Sequence, residues 1–264
     1  MITDARSRAD SDGADRPVSR FSLLAPDRGK SNHDQIAAIL GIELLDGLYP
    51  PGSPMPTEAA LIERFRVSRT VLREVMKTLA AKGFLAPKSH VGTRVRDAAC
   101  WNYFDADVLA WRLRLGLDDG FMQTLTEVRR ALEPVAAALA AQRRRPEDVA
   151  FLRECLRQIG RKDHTRQSFA AADLDFHLVI ARASGNPIIR SIASVIEAAF
   201  AASFTYSSPV DTPADHEVSV NGHAAIVDAI EARDERRAAQ GILNVIDIGV
   251  NRINTRRRKA GARR

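Results

Sequence analysis

The sequence predicts a mainly α-helical protein in two parts, an N-terminal winged helix-turn-helix and a C-terminal antiparallel all-α bundle. Three features lead there. Over residues 33–97 a helical apolar pattern is cut by a Pro/Gly-rich turn, resumes as two short amphipathic helices and ends in a hairpin pattern. Over residues 112–255 nearly every segment has helical periodicity, and no stretch alternates as a strand does. Charge divides along the same lines: residues 33–96 carry nine bases and six acids, residues 97–255 eighteen and twenty-two, and the run 256–264 (RRRKAGARR) six bases and no acid. A basic module on an acidic body suggests polyanion binding by the first and a different task for the second.

Each element has a local cause. Residues 1–32 are polar, with scattered Asp, Arg and Ser, and are expected to form a disordered tail. Ile36, Ile39, Leu40, Leu44 and Leu45 recur at three- and four-residue steps, which makes a helix. Gly47, Pro50, Pro51, Gly52, Pro54 and Pro56 stop it. Thr57 caps a short helix to Phe65, with Leu61, Ile62 and Phe65 turned inward. Arg66 and Val67 form a tight connection, and Ser68 caps a second helix that runs to about Lys82 and ends at Gly83. FLAPKSHVGTRVR then reads as a β-hairpin wing. Residues 98–111, with WNYFDADVLAW, are expected to be an ordered linker. Six helical segments follow, with breaks near Asp118, Arg145–Pro146, His164, Gly185–Pro187, Ser207–Pro213 and Arg233–Asp234, and 256–264 is left as a basic tail.

Composition narrows the class. The longest purely apolar run, Val135 to Ala141, is too short to cross a bilayer, and the N-terminus lacks the apolar core of a signal peptide. Cys100 and Cys155 have no metal-ligand spacing and fit a reducing compartment. A cytoplasmic location without a membrane partner is expected.

The second short helix carries the nucleic-acid chemistry. Val71, Leu72, Val75, Met76 and Leu79 form its inner face, and Arg69, Thr70, Arg73 and Lys77 its outer face. In a helix-turn-helix this element lies in the major groove, where an arginine bonded to guanine supplies roughly 1–3 kcal/mol of discrimination. Alone, three cations at four-residue spacing are also an ordinary solvated face. The surrounding segment LLDGLYPPGSPMPTEAALIERFRVSRTVLREVMKTLAAKGFLAP decides between the two. In its PG, its P-x-E at Pro56–Glu58, its VSRTVLREV and its L-x-x-KG it resembles the GntR family of bacterial regulators. The resemblance implies double-stranded operator DNA as partner, with contacts from Ser68, Arg69, Thr70 and Arg73 and from the wing around His90 and Gly92. Lys77 and Lys88 join them by position. Some relatives have an arginine after the P-x-E glutamate, where this chain has Ala59.

The second part resembles the FCD domain of the FadR branch of that family through EVRRALEPVAAALAA (Glu127–Ala141), DLDFHLVIARASGNP (Asp173–Pro187) and GHAAIVDAIEARD (Gly222–Asp234). Asp173 and His177 are four apart and share a helix face. The resemblance implies that they and His223 bind a divalent metal (zinc, manganese or nickel). The family's further histidine falls on Val245, with Asn244 and Asp247 roughly 100° and 200° round the helix. Arg129 matches an arginine that pairs with an effector carboxylate, and Glu133, four residues on, offers it an ion pair instead. His216–Glu217 opens like HExxH, but Val220 stands where the second histidine belongs. WNYFDADVLAW resembles a segment of FadR-type regulators of sugar-acid catabolism, a subgroup that shares both departures. The expectation is a homodimeric repressor, because two recognition helices must sit one DNA turn apart. It is released by a small carboxylate effector of the sugar-acid class bound by Arg129, Asp173, His177 and His223. An acyl-CoA or another organic acid is the alternative effector. A metalloenzyme on the Asp/His/His set is a third reading, against which no nucleophile or acid/base pair accompanies those residues.

Overall fold

A computed structural model describes residues 31–88, 92–116, 118–206 and 208–261. Helix α1 (Asn32–Leu45) opens with a capping box in which the Ser31 hydroxyl accepts from the Asp34 N–H and the Asp34 carboxylate accepts from the Ser31 N–H. It therefore starts inside the segment expected to be a tail, whose residues 1–30 lie outside the described residues. Helix α2 (Glu58–Phe65) is capped by Thr57 and ended by Arg66, a non-glycine residue held left-handed at φ 52°. Helix α3 (Arg69–Ala81) follows at once, capped by Ser68. Strands β1 (Leu85–Lys88) and β2 (Gly92–Val95) pair antiparallel with Leu85 opposite Val95 and Lys88 opposite Gly92. Residues before α2 lie along the free side of β2, where the Met55 N–H donates to the Thr93 carbonyl at 2.9 Å. Leu40, Leu44, Leu61, Leu72, Val75, Leu79 and Phe84 fill the space between these elements.

Gly83 ends the turn after α3 at φ +88°, and a Cβ there would lie 2.1 Å from the Cys100 carbonyl oxygen, so only glycine lets the chain pass. Residues 98–111 are ordered. They hold a 3₁₀ turn (Ala98–Cys100) and most of a helix, α4 (Ala106–Arg114), capped by Asp105. The helix has two buried sides. Val108 and Trp111 enter the winged-helix core, while Leu109, Ala110 and Leu113 pack with Leu125 and Val195 of the second part. The mixed apolar pattern of this segment is that of a helix wedged between two cores.

The second part contains α5 (Asp119–Arg143), α6 (Pro146–Ile159), α7 (Arg166–Ala183), a short α8 (Pro187–Arg190), α9 (Ala193–Tyr206), α10 (Pro213–Glu231) and α11 (Glu235–Gly261). Its breaks fall where Asp118, Thr165 and Thr212 cap α5, α7 and α10 and where Pro146, Pro187 and Pro213 occupy first turns. Ala137, Ala140, Leu152, Ile159, Phe169, Phe176, Ile226, Ile230 and Ile242 form its largest core. The basic run expected to be a separate tail continues α11 as far as Gly261, and Arg256 within it pairs with Asp211 at 2.6 Å. Among the described residues no helix is long and apolar enough to cross a membrane.

Candidate nucleic-acid interface and metal centre

Helix α3 is amphipathic as its spacing requires. Leu72, Val75 and Leu79 are buried, while the side chains of Arg69, Arg73 and Lys77 are 68%, 64% and 73% exposed. Thr70 is exposed beside them. The Ser68 hydroxyl accepts from the Val71 N–H at 3.3 Å, which leaves its own proton free to donate outward. One residue was not singled out from sequence: Glu58, the acid of the P-x-E motif. Its Oε1 lies 3.3 Å from Arg73 Nε and 3.5 Å from Arg69 Nε. Engaging a guanidinium through Nε leaves the two terminal nitrogens to face a base edge. Lys77 pairs with Glu74 at 2.8 Å. At the wing, Gly92 opens β2 at φ +85°; His90 lies outside the described residues, as does the Lys88 side chain.

The second site is buried within the bundle. Asp173 and His177 lie on one face of α7, and His223 reaches them from α10; all three are under 9% exposed. One ligand atom from each falls within 4.8 Å of the others. His223 Nδ1–H donates to the Ser219 carbonyl at 2.7 Å, which turns Nε2 toward Asp173 Oδ1 at 2.8 Å. His177 Nδ1–H donates to Glu133 Oε2 at 2.6 Å, and its Nε2 is buried without a hydrogen-bond partner, 3.6 Å from the same Asp173 oxygen. Both imidazoles thus spend Nδ1 on an outer acceptor and aim Nε2 at one carboxylate oxygen. That is the arrangement by which outer partners orient metal-binding histidines. A lone pair on His223 Nε2 facing a carboxylate oxygen needs a bridging proton or cation, so the donor set fits a divalent ion.

Charge around the centre is tightly matched. Burial alone would raise the Glu133 carboxyl, but the charges of Arg129 and His177, and the hydrogen bonds they donate, hold it at about 2. Burial also opposes ionisation of Asp173, yet His223 and His177 keep it well below the usual carboxylate range. Burial disfavours a charged His177, but Glu133 and Asp173 outweigh it and raise its pKa.

Arg129 lines the same cavity as Asp173, but its guanidinium is already taken. It binds Glu133 in a fork, at 2.5 Å and 3.3 Å, and lies 4.4 Å from the centre of the Phe200 ring. The i,i+4 ion pair holds because both partners are buried and neither can be left unmatched. The spacing made this pair visible in sequence; the hydrogen bond from His177 Nδ1–H to Glu133 was not, because it crosses from α7 to α5. Val245 lines the cavity at the position where the resemblance places a histidine. Neither neighbour replaces it, since Asp247 binds Arg130 and Asn244 binds Gln240. His216 is structural, its Nε2–H donating to the Ile159 carbonyl at 2.9 Å. Arg252 of α11 also lines the cavity, unheralded by any motif.

Comparison with known proteins identifies both parts of the chain. Residues 32–95 match the gntR family of bacterial regulatory proteins, and residues 124–247 match the FCD domain. The chain is 33% identical over 220 residues to the galactonate operon transcriptional repressor of Escherichia coli K12, covering 83% of this chain and 96% of that one. It is 33% identical over 223 residues to the HTH-type transcriptional regulator YieP of the same organism, covering 83% and 92%. Among solved structures, Lar, described as controlling the Listeria monocytogenes agr system, aligns over 84% of this chain and 96% of its own. The TM-score is 0.51 at 19% identity, a likeness of fold. The chain belongs to the gntR family of bacterial regulatory proteins, with a helix-turn-helix domain and an FCD domain, and is a transcriptional regulator rather than an enzyme.

Proposed function

We propose that the chain is a homodimeric repressor that binds operator DNA through α3 and the wing, and releases it when a small hydroxy acid enters the FCD cavity. The observation that carries the sensing half is the convergence of Asp173, His177 and His223 within the bundle, with Asp173 also lining a cavity beside Arg129. Asp173 Oδ1 and the two Nε2 atoms would hold a divalent ion, zinc, manganese or nickel. Bound there, the ion supplies Lewis-acid positions for carboxylate and hydroxyl oxygens. Glu133 and the Ser219 carbonyl fix the imidazoles in orientation, and Phe200 shields one side from water. On the DNA side, Arg69 and Arg73 read base edges while Glu58 holds their Nε atoms, and Ser68, Thr70, Lys77, Lys88, His90 and Gly92 grip the backbone.

The sugar-acid class draws support from the relative at 33% identity named for a galactonate operon. The test is release of operator DNA, followed by gel shift, on adding D-galactonate or D-gluconate to zinc-loaded protein. Wild type should release DNA, and His223→Ala should hold it at the same acid concentrations. A His223→Ala protein that responds like wild type removes this cavity as the sensor.

A further inference from the structure

We propose that Arg252, on the cavity face of α11, binds the effector carboxylate, and that Arg129, the residue expected to do so, serves instead to buttress the metal centre through Glu133. The proposal rests on the reading above that the cavity takes a small acid.

Two guanidiniums line the cavity, and they differ in what they already hold. Arg129 uses Nε and Nη2 on the two oxygens of Glu133, and Glu133 in turn orients His177. Swinging Arg129 to a ligand would strip a buried carboxylate of its cation and loosen a histidine of the centre. Arg252 has no such commitment. Among the described residues no carboxylate lies within 4.0 Å of it, and its Nε is buried without a hydrogen-bond partner. The carboxylates whose fields reach it are Asp173, Asp215 and Asp211, with Arg256 opposing them. Asp211 is already bridged by Arg166 and Arg256. Burial pulls the Arg252 guanidinium below its ordinary range without neutralising it. A half-buried cation with an orphaned donor, facing a cavity, is relieved by an anion.

Position strengthens the case. Val245, Gly249 and Arg252 fall at i, i+4 and i+7 on α11, and all three line the cavity. Where the resemblance places a ligand imidazole, α11 offers the metal nothing; two turns further along the same face it offers a cation. A Cβ added at Gly249 would meet nothing within 4 Å, so there is open space between the two. The cavity volume is about 50 Å³, room for roughly four waters at 10–15 Å³ each. That suits a carboxylate with its adjoining hydroxyl, and a six-carbon acid extends beyond it. The ligand class is therefore a 2-hydroxy carboxylate, its carboxylate on Arg252 and its hydroxyl toward the Asp/His/His centre.

The test is calorimetric titration of full-length, zinc-loaded protein with D-galactonate, D-gluconate and the carboxylate-free polyol galactitol. Arg252→Gln should weaken binding of the acids about ten- to hundredfold, leave any galactitol binding as it was and retain one zinc per chain. Arg252→Lys should recover part of the loss, because it restores charge without the planar fork. Arg129→Gln should lower zinc affinity in competition with a chelating dye. If wild type binds the acids and Arg252→Gln binds them equally well, the Arg252 assignment is overturned while the cavity stands as the sensor. If wild type binds neither acid, the cavity reading falls and takes this assignment with it.

Discussion

Replacing Gly41 places a methyl group directly in the joint between the DNA-binding and ligand-binding parts. A Cβ at this position of α1 would lie 2.2 Å from Trp111 Cε3 and 2.3 Å from Cζ3. Carbon atoms in contact sit about 3.5–4.0 Å apart, so relief needs a shift of about 1.3 Å or more. The indole has nowhere to go. Trp111 is 3% exposed, with the Phe84 ring 6.1 Å away and Lys82 Nζ 5.5 Å from its own ring. Lys82 is itself tied to Asp105 and Asp107, both at 2.7 Å. Helices α1 and α4 must therefore part. Overpacking of this kind costs about 1–3 kcal/mol, and the helix propensity gained from glycine to alanine returns about 1 kcal/mol. Gly41→Ala should lose about 1 kcal/mol net, or roughly 2–4 °C in Tm for a chain of this size. Gly41→Val, with two further methyl groups and a stiffer side chain, should lose about 3 kcal/mol. Scanning calorimetry reads both. Two variants melting at or above wild type would show that α1 and α4 yield freely and that this joint is not packed as described.

Three further outcomes are expected. Arg73→Ala should weaken operator binding by about 1–3 kcal/mol in a gel-shift titration and relax preference at one base position; unchanged affinity would remove α3 as the reading element. Glu58→Gln takes a negative charge off the same face and frees two arginines, so binding to a scrambled duplex should tighten while the ratio of operator to scrambled affinity falls. An undiminished ratio would mean that Glu58 does not position them. Chelation should lower Tm in proportion to the binding energy withdrawn, about 2.7 kcal/mol at a metal concentration a hundredfold above Kd, with recovery on adding zinc. His223→Ala should not respond to chelation, and a variant with the full wild-type shift would place the metal elsewhere.

Sequence alone reached most of the fold because local signals agree with the tertiary result. Thr57 and Ser68 cap as their positions imply, Leu72, Val75 and Leu79 are buried at helical spacing, and Asp118, Pro146, Pro187 and Pro213 mark real helix boundaries. The helix within residues 98–111 was not legible, for a physical reason. Helix α4 buries residues on two sides, so its apolar positions form no single stripe, and a one-sided periodicity test finds none. The C-terminal run departs from the expected tail for a different reason. A basic run suggests a solvated tail, but the helix is carried through it, and Arg256 meets Asp211, near the start of α10.

The cavity was legible only in part, because spacing along one helix says which residues share a face and not which helices meet. Asp173 and His177 could be paired by their four-residue step, and Arg129 and Glu133 by theirs. That the two pairs form one chain, from Arg129 through Glu133 and His177 to Asp173 and His223, needs α5, α7 and α10 brought together. Arg252 stood four residues before a supposed tail, where an arginine has no evident partner and no reason to need one. Its place in the structure gives it both a cavity and a neighbour of consequence. Ile253, the next residue, packs in one apolar cluster with Leu109 and Leu113 of α4, while Trp111 of the same helix sits against Gly41 of α1. A ligand held at Arg252 thus bears on a helix in contact with the joint that Gly41 variants disturb. Contact alone is not coupling; coupling is a free energy linking effector and operator affinities, and the change in that linkage when Gly41 is altered measures how much of it passes through α4.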